Sequence, residues 1–246
     1  MAATQFLNTA QGRRIAYHHQ TGTGPTVVFL GGLKSDMEGT KAVHLEAWAK
    51  ARRQAFLRFD YSGHGESSGT FEEGCIGDWH QDTVAAITAL TSGPLLVVGS
   101  SMGGWQALLL AKAMPERIQG MVTIAAAPDF TQDGYWASFT PEQKAELETC
   151  GYVELPSDYM EPYRISKRMI EDGRSHLVLR SPLALPFPVR CLQGTADTAV
   201  STDTALRLLQ HASCADMRLN LVKDADHRFS HDTCLALIEA SVAELL

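Results

Sequence analysis

Gly99-Ser100-Ser101-Met102-Gly103 spells G-x-S-x-G, the pattern of a sharp strand-to-helix turn that lifts a serine hydroxyl clear of a sheet and tolerates only small neighbours. A serine held this way suits nucleophilic acyl transfer. Leu95-Leu96-Val97-Val98 leads into the turn as a buried strand, and Gly103-Gly104-Trp105-Gln106-Ala107-Leu108 leaves it as a helix. The amino end of that helix aims N–H groups and the positive pole of its dipole at the serine, where negative charge develops during acyl transfer. Gly65-Glu66-Ser67-Ser68-Gly69 also fits the pattern, but a polar stretch separates it from its strand and no apolar helix starts at its second glycine. Ser67 is set aside and Ser101 is the candidate nucleophile.

A serine hydroxyl is a poor nucleophile at neutral pH, so a neutral imidazole must take its proton and a carboxylate must orient the imidazole. After an elbow of this kind the acid comes next in the chain and the histidine last, each just beyond a strand. Asp197 follows an apolar strand at 189–193 directly, in Gln193-Gly194-Thr195-Ala196-Asp197, whereas Asp203 falls inside the next helix, where it would face solvent. His227 follows a strand at 217–222 by Lys223-Asp224-Ala225-Asp226 and precedes the last helix. His211 and His231 also lie downstream, but within or at the start of helices, where surface or capping roles are the rule. A tetrahedral oxyanion needs two N–H donors. Met102 supplies one, and Leu33 the other, from Gly31-Gly32-Leu33 after the strand at 26–30.

That glycine loop has neither phosphate-binding spacing, G-x-x-x-x-G-K-[ST] or G-x-G-x-x-G. The cysteines Cys75, Cys150, Cys191, Cys214 and Cys234 are odd in number and lack CxxC or zinc-ligand spacing, so they read as reduced and structural. No cofactor and no metal is expected. A net charge of −7 lacks the clustered cations that nucleic acid demands. The longest apolar runs are too short for a membrane span. Residues 1–8 carry no secretory signal, so residence in the cytoplasm is expected.

Positioning the three side chains requires an alternating scaffold. Strands at 13–18 and 26–30 read as a hairpin or meander across the turn-rich Thr21-Gly22-Thr23-Gly24-Pro25. Helices at 41–52, 78–90, 103–114, 202–211 and 233–246 then alternate with strands at 55–59, 94–98, 118–125, 189–193 and 217–222. Such alternation predicts an α/β fold: a mostly parallel sheet with helices on both faces and ligands bound at the carboxyl ends of the strands. Between Pro128 and Pro188 the rhythm breaks, with seven of the ten prolines and no clear strand. The expectation is one domain over 1–246 with a lid inserted at about 129–187. Tyr135, Trp136, Phe139, Tyr152, Tyr159 and Tyr163 in the lid either line an acyl or aryl pocket or anchor the lid to the core.

Gly39-Thr40-Lys41-Ala42, Phe59-Asp60-Tyr61-Ser62-Gly63-His64-Gly65, Val98 to Trp105 and Asp226-His227-Arg228 resemble the α/β-hydrolase family of the mitochondrial abhydrolase-domain palmitoyl-protein thioesterase, also called mycophenolic acid acyl-glucuronide esterase. The resemblance implies the α/β-hydrolase fold, the roles already given to Ser101, Asp197, His227, Leu33 and Met102, and an ester, a thioester or an S-acylated protein as substrate. It does not extend to a transit segment or to the insertion. Two alternatives stay open: a carbon–carbon bond hydrolase with the same triad, and a ligand-binding or sensor protein on a hydrolase scaffold. Dehalogenases and epoxide hydrolases are disfavoured, because they place aspartate at the elbow. Oligomeric state is not legible.

Overall fold

The computed structural model describes residues 3–155 and 163–246. Its strands are β1 (Gln5–Asn8), β2 (Arg14–Gln20), β3 (Thr23–Leu30), β4 (Gln54–Phe59), β5 (Leu95–Ser100), β6 (Ile118–Ile124), β7 (Tyr152–Leu155), β8 (Tyr163–Ser166), β9 (Val189–Gly194) and β10 (Met217–Val222). The helices are α1 (Thr40–Ala51), α2 (Ile76–Leu90), α3 (Met102–Ala113), α4 (Pro141–Cys150), α5 (Lys167–Arg174), α6 (Thr202–His211) and α7 (Asp232–Leu245). Eight strands form one sheet in the order β1-β2-β4-β3-β5-β6-β9-β10. It is parallel from β4 to β10, and β2 runs antiparallel to both β1 and β4.

Val27 to Leu30 of β3 and Leu95 to Val98 of β5 are apolar at every position because both of their faces are covered. Val27, Phe29, Leu96 and Val98 pack on Leu45 and Trp48 of α1 and Ile238 and Val242 of α7. Their neighbours Val28, Leu30, Leu95 and Val97 point the other way, onto Trp79 and Ile87 of α2 and Trp105 and Leu108 of α3. This is the expected α/β-hydrolase architecture.

The hairpin expected at the start is absent, since β4 lies between β2 and β3. The turn between them carries the chain across the beginning of β4, so tightly that a Cβ on Gly22 would stand 2.3 Å from the Ala55 nitrogen. β1, a short edge strand, was not expected, and neither was the antiparallel β7–β8 pair in the proline-rich segment.

The start of that segment is tied to residues 178–180 near its end. Buried Asp129, in the left-handed region at φ 59°, accepts the N–H groups of Val178 at 2.7 Å and Leu179 at 3.1 Å and the Arg180 guanidinium at 2.6 Å. Between these anchors lie a π-helical turn at Thr131–Trp136, then α4, β7, β8 and α5. α4 opens with a capping box, in which Thr140 accepts from Gln143 N and the Gln143 side chain accepts from Thr140 N. Trp105 of α3 donates to His176 O at 3.0 Å, fixing the end of the segment to the helix behind Ser101.

The loop from β3 to α1 is held from β4 and the residues after it. Arg58, 2% exposed, donates to Met37 O at 2.8 Å and to the carboxylates of Glu38 and Glu46. Asp60 accepts Met37 N at 2.6 Å and Glu66 N at 2.9 Å. No described helix is long and apolar enough to cross a membrane.

Candidate active site

Ser101 stands at the turn between β5 and α3 with φ 54° and ψ −118°. A non-glycine residue there carries backbone strain of order 1–3 kcal/mol, and such strain persists only where the surroundings over-determine it. They do so here: Ser101 N donates to Ile124 O at 2.9 Å, and Ser101 O accepts from Gly104 N and Ala127 N. The small neighbours are obligatory. A Cβ on Gly99 would meet the Gly103 oxygen at 2.3 Å, and one on Gly103 would meet the Leu30 oxygen at 2.0 Å.

The three residues picked for nucleophile, acid and base come together at the carboxyl edge of the sheet. Asp197 lies just beyond β9 and His227 just beyond β10. His227 Nδ1 is 2.8 Å from Asp197 Oδ2, and His227 Nε2 is 3.1 Å from Ser101 Oγ. An ionised carboxylate can only accept, so Nδ1 carries the hydrogen and Nε2 presents its lone pair to the serine hydroxyl. Asp197 is fully satisfied. Oδ1 accepts Ala199 N at 2.9 Å and Val200 N at 2.8 Å, while Oδ2 accepts Gln193 Nε2 at 3.0 Å as well as His227. Burial works to raise the Asp197 pKa, but the His227 ring and the two N–H donors outweigh it and hold the carboxyl below its ordinary value.

Leu33 and Met102 both border the space in front of Ser101 and His227. Among the described residues, no protein group accepts from either N–H. Gly32 lies against Ser101, a Cβ there standing 3.4 Å from Ser101 Cβ. Two cavities meet at Ser101 and His227. One, of about 350 Å³, is walled by Met102, Phe130, Tyr135, Tyr163 and Val200. The other, of about 180 Å³, is bordered by Ser35, Asp36, Thr40, Lys41 and Arg228. Burial lowers the Lys41 pKa against the pull of Asp226, and its Nζ donates to Arg228 O.

The residues set aside are occupied elsewhere. Ser67 Oγ donates to Asp60 O and accepts Ala16 N. Asp203 is exposed, His231 sits at the N-cap of α7, and His211 Nε2 contacts Ser181 O at 2.8 Å. Of the six aromatic residues singled out in the segment, Tyr135 and Tyr163 line the larger cavity. Phe139 is buried and stacks on Tyr135. Trp136 lies beneath Lys144 and Arg174, and Tyr152 beneath Arg164; Tyr159 is outside the described residues. Sequence reasoning passed over Phe130, which adjoins the expected group, and Gln193. Gln193 lies in the quoted stretch, yet its aim at Asp197 depends on rotamer and twist. Among the described residues, no group of three or more His, Cys, Asp or Glu side chains could hold a metal ion.

A family model described as alpha/beta hydrolase matches residues 27–240. The bovine (Bos taurus) protein named palmitoyl-protein thioesterase ABHD10, mitochondrial, is 34% identical over 246 residues, covering 98% of this chain and 79% of the relative. A crystal structure of a putative hydrolase from Agrobacterium vitis S4 is 36% identical with a TM-score of 0.95, covering 99% of this chain and 98% of that one. The mouse alpha/beta hydrolase domain-containing protein 10 is 33% identical with a TM-score of 0.92, at the same coverage. These relatives overturn the expected cytoplasmic residence: the curated ones are named as mitochondrial, which points away from the cytoplasm. Compartment is decided by an address segment and not by the fold, and the reading of residues 1–8 weighed only a secretory signal.

Proposed function

The chain belongs to the alpha/beta hydrolase family and is by that kinship a hydrolase of esters or thioesters; on this premise we propose that it works through an acyl-enzyme formed on Ser101. The observation that carries the reading is the chain of contacts from Asp197 through His227 to Ser101, at 2.8 and 3.1 Å. His227 Nε2 takes the hydroxyl proton as Ser101 Oγ attacks the carbonyl carbon, and Asp197 stabilises the imidazolium that results. The oxyanion is received by the N–H groups of Leu33 and Met102 at the positive end of α3. As the tetrahedral adduct collapses, the imidazolium returns its proton to the leaving oxygen or sulfur. Water, deprotonated by the same imidazole, then releases the acid.

The larger cavity, walled by Phe130, Tyr135 and Tyr163, takes the acyl chain, and the smaller one, bordered by Ser35, Thr40 and Lys41, takes the leaving group. The segment at 129–187 acts as a lid over the acyl side, contributing Phe130, Tyr135 and Tyr163. The substrate class is an acyl ester or thioester, S-acylated protein included.

The test is labelling by a fluorophosphonate probe together with turnover of matched oxoesters and thioesters. The wild-type chain should be labelled once per molecule, and Ser101→Ala should lose both labelling and turnover. Labelling that survives in Ser101→Ala would remove the basis of the reading.

A further inference from the structure

His64 is 4% exposed and takes no part in the chemistry above, yet its ring is fixed as firmly as that of His227. Tyr61, Phe71 and Trp79 surround it edge-on, with ring centroids 5.7, 5.6 and 5.2 Å away. Its Nδ1 faces Ser62 O at 3.1 Å. A carbonyl oxygen only accepts, so Nδ1 bears the hydrogen and Nε2 is left as a bare acceptor. That acceptor meets Lys34 N at 3.0 Å. Burial lowers the His64 pKa, in keeping with a neutral ring.

Lys34 immediately follows Leu33, and its backbone lies in the left-handed region at φ 57°. For a residue with a Cβ this costs about 1–2 kcal/mol, so the loop needs an external tie to stay there. The peptide before it is tied as well. Gly32 O accepts from Ser35 Oγ at 2.9 Å and from Ser35 N at 3.3 Å. Gly32 C=O and Leu33 N–H belong to one planar unit and point in opposite directions, so holding the oxygen sets the direction of the N–H. Ser35 therefore fixes the peptide that carries the donor, and His64 fixes the next one. The Lys34 side chain runs outward, its Nζ 5.3 Å from the Phe71 ring centre and 4.6 Å from that of Tyr163, which leaves the main chain to His64.

We propose that His64 is a positioning residue for the reaction: by accepting the Lys34 N–H at Nε2, it holds the loop so that the neighbouring Leu33 N–H meets the oxyanion. The inference rests on the Ser101 reading but is separable from it. A misplacement of about 1 Å near reacting atoms costs on the order of 10²-fold in rate, so loosening this tie should lower kcat and leave ground-state binding alone.

The experiment compares His64→Asn with His64→Gln. The asparagine amide reaches the Nδ1 position only and leaves Lys34 N–H without its acceptor; the glutamine amide reaches the Nε2 position and keeps one. His64→Asn should lose roughly 10–100-fold in kcat with KM within about two-fold. Its inhibition constant for a trifluoromethyl ketone, which forms a tetrahedral oxyanion on Ser101, should rise by the same factor. His64→Gln should recover most of both. Imidazole ¹⁵N spectra of the wild-type chain read the tie without any variant and should show a protonated Nδ1 and an unprotonated, hydrogen-bonded Nε2. Equal losses in the two variants, an unaltered ketone affinity in His64→Asn, or the opposite tautomer would overturn the proposal. Turnover surviving in Ser101→Ala would instead overturn the proposed function, so the two failures are told apart.

Discussion

Replacing Gly103 by alanine should cost far more activity than stability. The added Cβ would stand 2.0 Å from the Leu30 carbonyl oxygen and 2.6 Å from the Gly31 oxygen, whereas carbon–oxygen contacts settle near about 3.3 Å. The start of α3 and the end of β3 must therefore part by roughly 1.3 Å. These two elements bear Met102 and lead to Leu33, the proposed oxyanion donors, so the parting acts on the distance that matters for the transition state. A shift of that size predicts a fall of about 10²-fold in kcat, equivalent to roughly 2.7 kcal/mol in the barrier. Stability changes less: overpacking costs about 1–3 kcal/mol, while alanine is the better helix former by about 1 kcal/mol. The net loss of about 1 kcal/mol corresponds to a Tm lower by about 2–4 °C. The assay is initial-rate hydrolysis of a p-nitrophenyl ester, normalised to sites titrated with a fluorophosphonate, beside thermal melts of the same preparations. Gly134→Ala serves as a stability control, because its new Cβ meets nothing nearer than Phe130 Cβ at 3.8 Å. Wild-type kcat in Gly103→Ala would refute the argument that this contact sets the donor geometry.

Asp197→Asn should lower kcat by about 10⁴-fold, because the amide no longer orients the imidazole as the carboxylate does. It also removes a stabilising carboxylate: with a folded pKa below the ordinary value, Asp197 stabilises the fold above about pH 4, and that contribution fades as pH falls through the lower folded value. The stability gap between wild type and Asp197→Asn in urea titrations should thus be wide at neutral pH and narrow towards pH 3; a gap independent of pH counts against the assigned hydrogen bonds. Phe130→Ala should shift preference towards longer acyl chains. Its ring, edge-on to Trp105 at 5.4 Å and to Tyr135 at 5.5 Å, walls the larger cavity. The ratio of kcat/KM for long over short p-nitrophenyl esters should rise about ten-fold, and an unchanged ratio would move the acyl chain out of that cavity.

The scaffold was legible wherever burial leaves its mark on a local stretch. Leu95 to Val98 are apolar at every position because helices cover both faces, and Ser101 lies just beyond that strand. What stayed hidden depends on contacts between distant stretches. The order of β2, β4 and β3 is decided by which strand the turn at 21–25 crosses. The strands β1, β7 and β8 have four residues each, too few for alternation to stand out among turn residues and prolines. Ser101, Asp197 and His227 could be read because each occupies a fixed place relative to its own strand. The Gln193 bond to Asp197 and the His64 bond to Lys34 could not, since neither residue type nor spacing says where an amide or an imidazole points.

Asp129 ties the first residues of the proline-rich segment to its later ones, while Trp105 of α3 and Gly77 of α2 pin the same stretch to the helices beneath it. Leu183 and Leu185 pair with Ser213 before β9 begins, so an exchanged stretch has to meet α2, α3 and the end of α6 as well as Asp129. An engineer who transplants the segment between cousins must keep that aspartate with the two amides it holds and also the partners of Trp105 and Gly77.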